Sequence, residues 1–136
     1  MGKTDSYLLE ISSDAQNIRK IEPYVDEIMQ SHCLSDGVYG NILISLTEAV
    51  TNAIVHGNKQ DESKKVIVCV KNICNENVTF LISDEGQGFD PDQIPDPTTS
   101  ENILKIGGRG VFLMRQLADN VRFADEGRTV EIFFKL

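Results

Sequence analysis

The stretch NILISLTEAVTNAIVHGN, from Asn41 to Asn58, constrains the fold more than any other part of the chain. Outside one polar strip, most of its circumference is apolar, which is typical of a buried helix. At about 100° per residue the polar side chains fall on one strip, roughly 80° wide. The strip comprises Asn41, Ser45, Glu48, Asn52 and His56. Because a buried carboxylate without a partner is costly, the strip must face either water, as on an ordinary surface helix, or a polar ligand.

Composition limits the classes of protein to consider. The 136 residues, 40% of them hydrophobic and 25% charged, predict one globular domain over 1–136. A net charge of −8 argues against a nucleic-acid partner, since phosphate binding depends on clustered Lys and Arg. We expect no membrane span, because no run approaches about 20 apolar residues. No secretory signal is visible, and the cysteines lack CxxC spacing, so we expect a cytoplasmic protein with reduced thiols.

The remaining segments predict the architecture. Runs rich in β-branched residues predict five strands, over 6–12, 65–73, 78–84, 121–124 and 129–135. Helical spacing predicts three helices, over about 13–30, 41–58 and 110–118, with a turn over 32–40 before the second and Gly57 as its C-terminal cap. We therefore expect an α+β fold, a two-layer sandwich in which about three helices cover one face of a mostly antiparallel sheet.

The polar strip of the long helix carries the first functional hypothesis. The side-chain oxygen of Asn52 is a suitable hard ligand for Mg²⁺. Glu48, one turn earlier, could accept a proton from a hydroxyl or water held beside a phosphate. His56, near the helix end, is open to two interpretations, a capping residue or a ligand.

Two glycine-rich segments carry the other hypotheses. Asp84 ends a predicted strand and precedes Gly86 and Gly88. Its carboxylate could accept a hydrogen bond from an exocyclic amine, while the glycine backbone, without side chains, would let a flat ring approach. The segment GGRG at 107–110 opens a helix, whose free N–H groups and dipole form an anion site. The alternatives are a plain strand-to-loop turn and a flexible hinge. Neither GxxxxGK[ST] nor a GxGxxG after a strand is present.

In order and spacing, these motifs together resemble the Bergerat-fold (GHKL) ATP-binding domain. ExxxN at 48–52 resembles its N box, Asp84-x-Gly86-x-Gly88 its first glycine box, and Gly108-x-Gly110 its second. The segments TEAVTNAIVHG, DEGQGFDP and GRGVFLMRQLAD are most similar to bacterial anti-sigma-factor serine kinases, with histidine kinase catalytic domains as near neighbours.

The resemblance implies a role for each motif. Asn52 would hold Mg²⁺ on the phosphates of ATP, Glu48 would be the general base, and Asp84 would accept from the adenine amine. Residues 91–107 would form a lid over the nucleotide. The further nucleotide contacts implied are Gly86, Gly88, Phe89, Lys105, Gly107, Gly108, Arg109, Gly110, Val111 and Thr129.

The sequence departs from the family pattern before its last strand. The superfamily often has Gly-Thr there, with the hydroxyl supporting the adenine site. Here Gly127 is followed by Arg128, and Thr129 comes one residue later. Thr129 is the candidate to replace that contact.

The resemblance also implies a function. An ATP-dependent serine kinase of this family would sequester a sigma factor and phosphorylate an anti-sigma-factor antagonist, without a nucleic-acid or membrane partner. Free sheet edges and the first helix leave room for a homodimer. Two alternatives are an ATP-gated binding module without kinase activity and a histidine-kinase-type catalytic domain acting on a separate protein.

Overall fold

The strands form one antiparallel sheet in the part of the chain that the structure describes. This computed structural model describes residues 7–32, 36–74, 76–86 and 108–136. The strands, which are arranged in the order β1-β2-β3-β5-β4, are β1 (Leu9–Ser12), β2 (Lys65–Ile73), β3 (Asn77–Ser83), β4 (Asn120–Ala124) and β5 (Thr129–Lys135). The α-helices are α1 (Ile21–His32), α2 (Asp36–Thr51) and α3 (Gly108–Leu117).

Alternation along the strands decides which face of the sheet is covered. Val78, Phe80 and Ile82 of β3 are buried, while the residues between them are partly exposed. β5 repeats the pattern, and Phe134 packs edge-to-face on Phe80 with ring centroids 6.2 Å apart. Every second side chain of a strand points to the same face of the sheet. The buried side chains therefore mark the one face that the helices cover. The predicted α+β fold is confirmed.

The central helix begins earlier than the sequence predicted. A turn was expected over 32–40, yet α2 starts at Asp36 and already includes Gly37 and Gly40. The two glycines weaken helix propensity, but Val38 and Tyr39 pack against the core. The Tyr39 hydroxyl also bonds Asp26 of α1, which raises the pKa of Tyr39 to about 12. Tertiary contacts thus outweigh local propensity here.

The same helix satisfies the length and apolarity of a membrane span. Within the described residues, Gly37–Gly57 is the one helix that does so. Such a segment is equally expected of the core helix of a folded domain. In this fold α2 contacts α1, α3 and β5, and Ile42, Leu46 and Val50 are fully buried.

The end of this helix lies at Gly57 and Asn58, as the sequence predicted, but its geometry differs. After Thr51 the helix widens into a π-helical turn, Asn52–Gly57, in which the Asn58 N–H donates to the Ala53 carbonyl at 2.8 Å. Gly57 remains helical, so the expected left-handed glycine cap is wrong. Lys59 and Gln60 adopt the left-handed conformation instead, with φ of 54° and 58°.

Asn58 joins the helix end to the sheet. Its side chain is only 1% exposed. Its Nδ2 donates to Ser13 Oγ at 2.8 Å and to the Lys65 carbonyl at 3.0 Å, and its Oδ1 accepts from the Glu85 N–H at 2.8 Å. These three hydrogen bonds stabilise the fold, because a buried side-chain amide without hydrogen-bond partners would be costly. Asn58 therefore fixes the start of β2 and the loop after β3 relative to the helix.

The first predicted helix is divided in two. A 3-10 helix, Ala15–Lys20, precedes α1, and its cap Asp14 accepts from the Gln16 N–H at 2.9 Å. Pro23 is the third residue of α1. A proline is tolerated in the first helical turn, where its missing N–H leaves no bond unmade.

We expect Lys59→Gly to raise the free energy of unfolding by about 0.5–1 kcal/mol, because glycine adopts a positive φ without a Cβ penalty. Gln30→Gly, at an exposed position of α1, is the control and should lower it by about 1 kcal/mol. Urea denaturation of both variants measures the difference. A destabilised Lys59→Gly would contradict the left-handed conformation.

Candidate functional site

The polar strip of α2 meets the first turn of α3. A Cβ atom at Gly110 would lie 2.9 Å from Glu48 Oε1, 2.9 Å from Asn52 Nδ2 and 3.3 Å from Asn52 Oδ1. A side chain at Gly110 would therefore displace Glu48 or Asn52. The structure brings together Glu48, Asn52 and Gly110, which the sequence assigned to two separate motifs.

The N-terminus of α3 is the predicted anion-binding half of the candidate site. Its first turn, from Gly108, carries no acidic residue. The first N–H groups of a helix have no intrahelical acceptor, and the helix dipole favours an anion there. Val111 is 2% exposed, so its side chain belongs to the core. Only the backbone of Val111 is available for the contact that the sequence predicted.

Asp84 stands at the other end of the site, directly after β3. Its backbone N–H donates to the Arg128 carbonyl at 2.9 Å, and its Oδ1 accepts from the Gly86 N–H at 2.8 Å. A Cβ at Gly57 would lie 2.5 Å from Asp84 Oδ2, and a Cβ at Gly86 would overlap the Gly57 carbonyl oxygen. The two glycines thus pack backbone to backbone beside the carboxylate.

Gly57 is a residue of the site that the sequence reasoning missed. It was assigned to the helix cap, whereas its lack of a side chain makes room for Asp84. Its position at the end of a polar-striped helix is a weak signal, since a glycine there also suits a cap. Only the fold shows which residue approaches it.

Burial dominates the electrostatics of Asp84. Desolvation raises the pKa of its carboxyl, against the opposing effects of the Gly86 N–H bond and of the charges on Arg128 and Lys64. The charge of Asp125 acts in the same direction as burial. A carboxylate has about four acceptor positions, so Asp84 can accept further donors beyond Gly86.

Thr129 does not lie with the Asp84 carboxylate. Its Oγ1 is 3.1 Å from Ser83 Oγ, its partner across β3 and β5. Val130 is buried beneath the helices, and alternation places Thr129 on the opposite face of the sheet. Its predicted contact with the nucleotide stays a prediction.

Ser45 and His56, which also belong to the polar strip, lie in different surroundings from Glu48 and Asn52. Ser45 is fully buried, and its hydroxyl has no hydrogen-bond partner within the described residues. His56 is half-buried in the π-helical turn, where burial and then the charge of Lys59 lower its pKa. The strip is therefore not uniformly directed at a ligand, and Glu48 and Asn52 are the members that face α3.

Several predicted contacts cannot be placed. Gly88, Phe89, Lys105, Gly107 and the predicted lid over 91–107 lie outside the described residues. Gly108 and Arg109 belong to α3, but the side chain of Arg109 is likewise outside what the structure describes.

Solved structures share this fold. The RsbU and RsbW domains of Rv1364c from Mycobacterium tuberculosis match with a TM-score of 0.61 and 18% identity, over 94% of this chain and 31% of that one. The histidine kinase domain of the Erythrobacter litoralis EL346 blue-light-activated histidine kinase matches with a TM-score of 0.55 and 21% identity, over 85% of this chain and 61% of that one.

Fold and motifs together define the class, an α+β ATP-binding domain of the Bergerat type. The chain belongs to the histidine kinase-like ATPase domain family, whose model matches residues 11–134. The anti-sigma F factor of Clostridium perfringens is 28% identical over 121 residues, covering 87% of this chain and 78% of that protein. The serine-protein kinase RsbW of Staphylococcus aureus is 33% identical over 96 residues, covering 65% and 60% respectively. The predicted family is confirmed.

We expect Gly110→Ala to weaken nucleotide binding by about tenfold or more, since the added methyl would press on Glu48 and Asn52. Gly40→Ala is the matched control, because nothing lies within 4 Å of the atom added there. That variant should bind normally and be slightly more stable, as alanine favours a helix. Titration calorimetry gives the affinities and circular dichroism the folding. Equal affinities in the two variants would contradict the contact.

Asp84 should couple nucleotide affinity and stability to pH in opposite directions. Because the folded-state pKa is raised above 3.8, lowering the pH protonates the carboxyl and relieves the cost of burying its charge. Stability from this group therefore falls as pH rises through the raised pKa. Affinity for an adenine nucleotide should do the reverse, since the ionised carboxylate is the stronger acceptor.

The measurement is the ADP affinity of the wild type and Asp84→Asn between about pH 4 and pH 7, with stability followed by denaturation. At each pH, the ratio of the wild-type affinity to the Asp84→Asn affinity reports the ionisation of Asp84 alone. The ionisation of ADP affects both proteins equally and cancels from the ratio. A ratio independent of pH would show that this carboxyl does not contact the base.

Proposed function

We propose that this protein is an ATP-dependent protein serine kinase that also sequesters a sigma factor. The observation that carries the proposal is the meeting of Glu48 and Asn52 with Gly110 at the N-terminus of α3. That arrangement sets a base and an oxygen ligand beside an anion-binding helix end, which suits phosphoryl transfer. The proposal takes residues 1–136 as one cytoplasmic domain.

ATP would lie between Asp84 and the start of α3. Asp84 would accept from the adenine amine, with Gly57 and Gly86 allowing the backbone to pack closely beside the carboxylate. The amides of Gly108 and Gly110 would bind the phosphates, assisted by the helix dipole. Lys105 and Arg109 are the proposed cations for the remaining charge.

The residues present fit Mg²⁺. Asn52 and Glu48 offer oxygen atoms close to Gly110 at the start of α3. No cluster of three or more His, Cys, Asp or Glu occurs among the described residues, which suits an ion bound by one or two protein oxygens, phosphates and water. Asn52 would hold it, and when bound it would neutralise charge on the triphosphate.

Glu48 would act directly on the protein substrate. It would take the proton of a serine hydroxyl as the serine oxygen bonds to the γ-phosphorus. The bond from that phosphorus to the β,γ-bridging oxygen breaks, and ADP leaves with the electron pair. Positioning of the hydroxyl next to Glu48 is required, because phosphoryl transfer depends more on alignment and charge than on covalent help.

The relatives support the proposed partners. One is named an anti-sigma F factor and another a serine-protein kinase. For this chain we propose a sigma factor and a small antagonist protein, with no nucleic-acid or membrane partner. The net charge of −8 suits a basic surface on a partner. A homodimer is also proposed, since β1 and β4 are edge strands of the described sheet.

Glu48→Gln should lower phosphate transfer by about 100-fold or more while leaving Mg-ATP affinity within a few-fold. The substrate is the protein that co-purifies with the domain in Mg-ADP and Mg-ATP, and phosphoserine is measured by mass spectrometry. Glu62→Gln, an exposed acid after the helix, is the control and should retain full activity.

Three results would overturn the kinase assignment. Undiminished transfer by Glu48→Gln would remove Glu48 as the base. A stable complex without added mass would indicate an ATP-gated binding module. Acid-labile phosphate on a partner histidine would indicate a histidine-kinase-type domain.

A further inference from the structure

The outward face of α2 carries a row of residues that leads to Glu48. The row consists of Gly37, Gly40 and Ile44, and we call it the α2 row. Glu48 comes four residues after Ile44. Residues three or four apart are neighbours on the surface of a helix, and at 1.5 Å per residue the distance from the first glycine to Glu48 is roughly 17 Å. The proposed general base therefore stands at one end of a continuous helix surface.

The α2 row is exposed, uncharged and open. Ile44 is 45% exposed, and Gly37 is exposed as well. A Cβ atom built at Gly37 or Gly40 has no neighbour within 4 Å in the part of the chain that the structure describes. No charged residue occurs between Gly37 and Thr47, in a chain of which 25% is charged. Because a helix face turned to water normally carries charged side chains, the row has the composition of a contact surface.

The apolarity of this helix exceeds what its burial in the domain requires. Gly37–Gly57 is long and apolar enough to span a membrane, yet 39% of its most apolar stretch is buried. A helix that is apolar on most sides is normally buried on most sides. The unburied apolar surface therefore indicates that a further surface packs on α2.

Acidic side chains of α1 lie beside the row. α1 packs on α2, and the Tyr39 hydroxyl of α2 bonds Asp26 of α1. The charges of Asp26 and Glu22 both act on that hydroxyl, and Glu22 is exposed. A complementary partner surface is therefore apolar where it meets Ile44 and basic where it meets α1.

The proposed reaction determines which partner reaches this surface. A general base acts within about 2.6–3.2 Å of the oxygen whose proton it takes, so the protein that carries the acceptor serine must approach Glu48. A specific protein contact buries on the order of 800 Å² on each side, far more than one carboxylate provides. The substrate must therefore cover helix surface next to Glu48, where Ile44 is the exposed large apolar side chain.

We propose that the α2 row is the docking surface for the protein substrate, with Ile44 as its apolar anchor. The inference rests on the proposed function and deepens it. The substrate presents an apolar surface flanked by basic residues, within roughly 17 Å of its acceptor serine. Gly37 and Gly40 let the substrate approach the backbone of α2 closely, because no side chain intervenes.

The test compares Ile44→Gln with Ile67→Gln in phosphate transfer to the co-purifying protein that the wild type phosphorylates on serine. Glutamine is uncharged and favours a helix, so Ile44→Gln preserves α2 and the charge around Glu48. We expect the KM for the protein substrate to rise by about tenfold or more, with kcat and Mg-ATP affinity within about threefold. Ile67, which is 37% exposed on β2, is the matched control, and its variant should keep the wild-type KM.

Gly40→Gln separates docking from folding. The added side chain has open space in the free domain, and glutamine favours a helix more than glycine does, so this variant should be more stable than the wild type. It should nevertheless raise the KM for the protein substrate by about tenfold, because its side chain occupies the docking surface. Urea denaturation measures the stability.

Several results would overturn the inference and leave the kinase assignment intact. They are an unchanged KM in either α2 variant, a fall in kcat alone, and an equal rise in KM for Ile67→Gln. A changed oligomeric state of Ile44→Gln in light scattering, with an unchanged KM, would assign the α2 row to a second copy of this chain instead. If the folded wild type phosphorylates no protein on serine, the proposed function is wrong and the inference with it.

Discussion

The close approach of α3 to the polar strip of α2 is the contact on which the site depends. Gly110 lets the two helices meet with only side-chain atoms of Glu48 and Asn52 between them. α2 is otherwise apolar and packed in the core, so its polar groups need a polar counterpart. The free amides at the start of α3 supply one. The proposed ligand site and the packing of the two helices therefore share one surface.

One continuous helical segment positions both ends of the site. Glu48 and Asn52 lie near the end of α2, and Gly57 ends the π-helical turn that follows. The i→i−5 hydrogen bonding of that turn rotates the side chains after it about the helix axis, relative to a continuous α-helix. Such turns are frequent at functional sites. Asn58 then bonds β2 and the loop after Asp84 to the helix end, so the end proposed to bind the base is held relative to the end proposed to bind the phosphates.

The sequence predicted the regular elements well and the close contacts poorly. β2 and β5 have the predicted bounds, because alternation with β-branched residues is a local property. Local propensity placed the start of α2 too late, since packing of Tyr39 is a tertiary effect. Gly57 was taken for a cap because no local pattern reveals that Asp84 approaches it. Glu48 and Asn52 were identified through motif order, but their meeting with α3 required the fold.

Strand order has a consequence for the newly synthesised chain. β5 is the last of the described strands to be made, yet it inserts between β3 and β4 in the sheet. Until it pairs with β3, the Asp84 N–H lacks the Arg128 carbonyl that accepts from it, and the core face of β3 lacks its neighbour. A newly made chain in which β5 has not yet paired therefore lacks part of the frame of the proposed nucleotide site. Binding at the proposed site therefore follows the pairing of β5 with β3, so nucleotide cannot guide the earlier steps of folding.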